Sequence, residues 1–195
     1  MSAPARALLI DFSGSGGPNV ARSISFGDPD GIFVTATGES QGLFNPNNSL
    51  RRNVFQNGNG LGVTFNTSRA EDNRVDGLGL DETLNLSFLQ PVNLIAATFK
   101  SVDRSDEFRL LVNGEQFVDA DIPGRRFNNT FTFTPSPVGT VFGFSVIDWD
   151  DDYLLKAIEV TPVPTPAAVL PVLMGMGAAA FRRKKSSTNA ADSEA

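Results

Sequence analysis

Thr83-Leu84-Asn85-Leu86-Ser87-Phe88 alternates polar and apolar residues without a break. Successive side chains of a strand point to opposite faces, so this run gathers Leu84, Leu86 and Phe88 on one side. That is the pattern of a strand with one buried face. It recurs along the chain. Phe108, Leu110 and Val112 repeat it, then Phe131 and Phe133, then Phe142, Phe144 and Val146. Ile158 and Val160 face in while Glu159 and Thr161 face out. Asn113-Gly114 separates Phe108–Val112 from Glu115–Val118 and is the pair a type I′ hairpin turn favours. Further strands are expected at Ala7–Phe12, Ser23–Phe26, Ile32–Thr37, Leu61–Phe65 and Val92–Phe99. No stretch before residue 162 carries helical periodicity. About ten short strands joined by turns predict an all-β fold, a two-sheet, jelly-roll-like β-sandwich over residues 1–161. The polar, Asn- and Gly-rich segment from Gln41 to Gly60 is expected to be a long loop across one end of it.

Composition narrows the chemistry. A chain of 195 residues suits one domain with a short appendage. Sixteen Phe against one Trp and one Tyr point to a core of phenyl rings, which bring apolar area with no polar atom to satisfy. The absence of Cys excludes disulfides, thiolate catalysis and cysteine metal sites. The absence of His removes the usual general base near neutral pH and the commonest metal ligand. No catalytic residue is therefore assigned and the body is read as non-enzymatic. The net charge is −6 and the one dense basic run is C-terminal, so nucleic acid is not an expected partner.

The composition changes after Thr161. Residues 162–166 form a proline-rich, extended spacer. Residues 167–181, Ala167 to Phe181, are an apolar run with no charge, expected to be a hydrophobic transmembrane or sorting helix. At about 15 residues such a helix spans roughly 22 Å, just short of a bilayer core. Residues 182–195 open with Arg182, Arg183, Lys184 and Lys185, a cation cluster that should stay cytoplasmic and leave the body outside.

Val163-Pro164-Thr165-Pro166-Ala167, a short apolar segment and then Arg182-Arg183-Lys184-Lys185 together resemble a PEP-CTERM sorting signal, in the variant with Pro-Thr-Pro-Ala in place of Pro-Glu-Pro. The resemblance implies recognition of Pro164, Thr165 and Pro166 as substrate by an exosortase, an integral-membrane cysteine protease. It also implies a cell-envelope location, with release to the surface or matrix after cleavage. This tail departs from the pattern by running on past the basic cluster, through Ser186–Ala195. Met1–Ala7 shows no basic n-region followed by an apolar h-region, so no secretory signal peptide is read there. Either the start is truncated or export takes another route; a genuine start would make a tail-anchored protein facing the cytoplasm. Gly60-Leu61-Gly62-Val63, Asp72, Asp76 and Asp81–Phe88 are similar to the β-sandwich domains that precede such tails. That likeness implies a surface domain without catalysis and names no ligand.

Two acidic stretches are the candidate sites. Asp148, Asp150 and Asp152 alternate around Trp149, in partial imitation of an EF-hand loop. Tyr153 stands where that loop needs Gly and no flanking helices are expected, so an EF-hand is rejected. Glu71, Asp72, Asp76, Asp81 and Glu82 form the second stretch. Calcium is the one cofactor left open, with Asp72, Asp76, Asp148, Asp150 and Asp152 as candidate ligands. Solvated turns account for the same residues. Trp149 and Tyr153 could stack on a sugar ring of an extracellular polysaccharide, or could simply anchor the edge of the core. Gly14–Gly17 and Gly58-Asn59-Gly60 lack the Lys and the helix of a phosphate loop and are expected to be flexible. The reading is an exported surface or matrix protein with a non-catalytic sandwich. The alternative is a surface-displayed carbohydrate- or calcium-binding module.

Overall fold

The computed structural model describes residues 6–27, 31–42, 45–65, 73–124 and 129–163. These residues form strands and turns, with no helix among them. The fold is therefore all-β. One compact unit runs to Val163. Pro164–Ala167, the 167–181 segment and Arg182–Lys185 lie outside the described residues. Among the described residues no helix is long and apolar enough to cross a membrane.

The strands are β1 (Leu8–Asp11), β2 (Asn19–Ala21), β3 (Ser23–Gly27), β4 (Phe33–Gly42), β5 (Asn45–Asn57), β6 (Gly60–Thr64) and β7 (Val75–Asp76). There follow β8 (Glu82–Lys100), β9 (Glu107–Val112), β10 (Glu115–Asp121), β11 (Thr130–Thr132), β12 (Val138–Ser145) and β13 (Asp152–Pro162). Every pairing is antiparallel, as in β8 with β4 and β12 with β9. The main order is β1-β13-β6-β5-β4-β8-β12-β9-β10, and β13 also pairs with β8. The path β13-β6-β5-β4-β8 therefore closes on itself.

The closure depends on β8, a single strand of 19 residues. Its first half pairs with β4 through Phe88 and with β12. Its second half pairs with β13 from Val92 to Lys100. The partner change falls at Leu89-Gln90-Pro91, where the β12 register jumps from Ser87 to Val92. Proline has no N–H to give a ladder, so it sits without loss where the ladder is handed over. The sequence was expected to hold two strands here, Thr83–Phe88 and Val92–Phe99. One continuous strand runs through the proline instead of ending at it.

The long loop expected from Gln41 to Gly60 is also corrected. Asn45–Asn57 is strand β5, laddered to β4 through Arg52 and to β6 from Asn53. Ser49, Leu50 and Arg51 are all exposed, so these three positions show no alternation of buried and exposed faces. Gly58 and Asn59 close the β5–β6 hairpin, and Asn59 N–H donates to Asn57 Oδ1 at 2.7 Å. The stretch is thus a two-residue turn, with Gly60 already the first residue of β6. The Asn113-Gly114 hairpin holds: both residues have positive φ, 52° and 88°, as a type I′ turn requires.

Leu84, Leu86, Phe108, Leu110, Phe142, Phe144, Ile158 and Val160 are buried together, as their alternation predicts. Phe108 is the hub of an aromatic cluster. Its ring lies 4.9 Å from Phe99, 5.0 Å from Phe131, 6.2 Å from Phe133 and 6.4 Å from Phe144. Rings at these spacings add to the stabilisation from burial alone. Phe108→Ala should cost about 3–5 kcal/mol, because the cavity it leaves is walled by other rings. Leu89→Ala, at a side chain 85% exposed, should stay within about 0.5 kcal/mol. Urea unfolding of both variants checks the contrast.

Candidate functional site

The two acidic stretches, far apart in sequence, meet in space. β7 pairs with the start of β13, with Val75 opposite Tyr153 and Asp76 opposite Asp152. Two glycines allow the approach. A Cβ on Gly62 would stand 2.1 Å from the carbonyl oxygen of Asn73, and one on Gly77 would stand 2.2 Å from that of Asp148. Segment 73–77 is thus held closely between β6 and the 147–151 loop. Val63 N–H donates to Arg74 O at 3.1 Å, and Gly77 N–H to Asp151 O at 3.2 Å.

The loop itself is organised by Asp151, whose side chain is buried. Its Oδ2 accepts the N–H of Ile147 at 3.1 Å and of Asp148 at 2.7 Å. Its Oδ1 accepts the N–H of Glu107 in β9 at 2.9 Å. A buried carboxylate is tolerated when backbone donors replace its hydration, and these bonds are stronger than neutral ones. The closed loop carries Trp149 into solvent, 73% exposed.

Beside Trp149 lies a groove of about 630 Å³. Phe55 and Leu154 supply buried apolar surface in it, Leu78 stands exposed at its margin, and Asn57, Asn59 and Asn73 supply amides. Asp76, Asp150, Asp151 and Asp152 line it against the single cation Arg74, which pairs with Asp152. The groove is thus net negative.

The calcium expectation fares differently residue by residue. Asp72 lies outside the described residues. Asp76 Oδ1 accepts the N–H of Leu78 at 2.9 Å, and Asp152 is ion-paired with Arg74. Asp148 and Asp150 are exposed. Among the described residues no group of three or more acidic side chains is placed to hold a metal ion. Asp151, absent from the expected set, is the one aspartate whose side chain shapes the loop. Burial was the missing signal, and alternation around Trp149 could not give it.

Tyr153 is not a sugar platform. It is wholly buried, its ring 5.2 Å from Phe99, and its hydroxyl donates to Ser145 O at 2.8 Å. Burial first, and the charge of Asp151 second, push this phenol well above its ordinary range. Ser145 Oγ in turn donates to Glu82 O at 2.7 Å, and Thr83 Oγ1 donates to Ser145 Oγ at 3.1 Å.

Glu107 lies beside this loop and opposite Asp121. Its carboxyl is raised above the ordinary 4.5 by a hydrogen bond with Asp121, then by desolvation, then by the charges of Asp121, Asp151 and Asp148. A carboxyl raised by folding binds more protons in the native state than in the unfolded one. Stability from it is present at low pH and is lost as pH rises from the ordinary value through the folded one. Glu107→Gln should therefore gain stability relative to the parent as pH rises across that window. Thermal melts of both proteins over a pH series check this; a constant difference would contradict it. No family model matches the chain, and no curated protein or solved structure matches it either.

Proposed function

We propose that the chain is an exported surface or extracellular-matrix protein. Its non-catalytic body has its strands layered as a jelly-roll-like sandwich and is sorted through the C-terminal PEP-CTERM-like signal. The membrane and an exosortase-type protease are the partners this requires. The observation that carries the reading is where the body stops. β13 runs through Pro162, Val163 N–H donates to Pro91 O at 3.1 Å, and the compact unit closes at Val163. The first proline of the proposed recognition motif, Pro164, is the next residue. Scission in the motif would release the body with every ladder intact. A signal placed inside β13 could not be cut without opening the fold.

The Trp149 groove favours a second, compatible reading: the displayed body is a binding module for carbohydrate. The groove sets an exposed indole and Leu78 beside amide and carboxylate side chains, an apolar platform with hydrogen-bonding groups around it.

Expressed with an exosortase, the chain should lose its basic end through a cut near Pro164–Pro166. Mass spectrometry of the surface fraction should find the body ending in that motif. Exported protein that keeps Arg182–Ala195 intact would overturn the sorting reading.

A further inference from the structure

We infer that the Trp149 groove binds a neutral glycan chain, with the indole as the stacking platform. The inference rests on the reading of the body as a binding module and adds the ligand class.

An exposed indole has a cost that the fold does nothing to relieve. Leu78 and Trp149 are 76% and 73% exposed, and they are neighbours, because Gly77 packs against the Trp149 backbone. Two large exposed apolar side chains thus line a groove that is otherwise mostly polar. A pyranose ring in the gluco configuration has two faces of axial C–H bonds and a rim of equatorial hydroxyls. The faces suit an indole, which is large, rigid and slow to lose entropy on binding. The rim suits planar side chains that both donate and accept. Asn57 has its Oδ1 on Asn59 N–H at 2.7 Å, which points its amide donors elsewhere. Asn59 and Asn73 add two more amides, and Asp150 an acceptor.

Charge selects among glycans. Aspartates outnumber Arg74 in the groove, and the carboxylate of Asp152 already engages that arginine. Uronate or sulfated chains would meet uncompensated repulsion, since like charges brought together across an interface cost affinity. The backbone around the site is fixed by Asp151 and the β7–β13 ladder. Ordering costs on binding are correspondingly small.

Trp149 is the only tryptophan, so its emission reports on this groove alone. The full chain, held in a detergent without a sugar headgroup, is titrated with cellopentaose and with a β-1,4-linked oligoglucuronate of equal length, which keeps the gluco configuration and adds charge. Cellopentaose should shift Trp149 emission saturably, and calorimetry should show the oligoglucuronate at least about tenfold weaker. Trp149→Ala, at an exposed side chain, should keep the parent's melting temperature and lose at least about tenfold in calorimetric affinity for cellopentaose. Asn73→Ala should weaken binding while leaving emission of the unbound protein unchanged. No saturable shift at millimolar cellopentaose, equal affinity for the anionic oligomer, or parental affinity in Trp149→Ala would each overturn the inference. None of these readouts uses the tail, so failed processing would leave them standing.

Discussion

The carboxylate of Asp151 is the constraint on which the candidate site depends. It is buried beneath its own loop, and three backbone N–H groups converge on it, two from that loop and one from β9. Leaving such a group without donors would cost several kcal/mol, so the loop is held to the one course that supplies them. That course turns Trp149 outward and Tyr153 inward. An aromatic pair that sequence offers as equivalent is thereby divided: one ring is available to a ligand and the other belongs to the core.

The rest of the fold serves to place that loop. At Leu89-Gln90-Pro91 the single strand β8 passes from its ladder with β4 and β12 to its ladder with β13. β13 begins at Asp152, directly after the loop, and its ladder with β8 fixes the loop's exit. β9, which supplies Glu107 N–H, is fixed by β12 and by the phenylalanine cluster around Phe108. The groove therefore stands on rigid strands, although its chemistry comes from loops. The same β13 carries the chain from the groove at one terminus to Pro162 at the other.

What the sequence shows and hides follows from where the free energy lies. Alternation in Thr83–Phe88, Phe108–Val112 and Phe142–Val146 is legible because those faces are buried in one core. Asn113-Gly114 is legible because only a few residue pairs accept two positive φ angles. β5 is not legible, because its first half is held by backbone ladders and leaves Ser49, Leu50 and Arg51 in solvent. Pro91 misleads because it usually ends strands, and here β8 runs through it. The two acidic stretches were each visible. Their meeting was not, since it rests on a two-residue ladder and on the absence of a Cβ at Gly62 and Gly77. Alternation carried back from Val160 and Ile158 places Tyr153 outward; the register shift between Leu155 and Ala157 in the β13–β8 ladder reverses that parity, and no sequence signal marks it.

Hydrogen exchange at individual amides tests the role of Asp151 most directly. Ile147 and Asp148 lie in a surface loop, where amides without a partner exchange at rates close to those of a free peptide. Bonded to the Asp151 carboxylate, they should exchange slowly. In Asp151→Ala they should lose that protection while core amides such as Leu86 and Phe144 keep theirs. Free-peptide exchange at Ile147 and Asp148 in the unsubstituted chain would show that the carboxylate does not hold the loop, and that Trp149 has no fixed groove to stand beside.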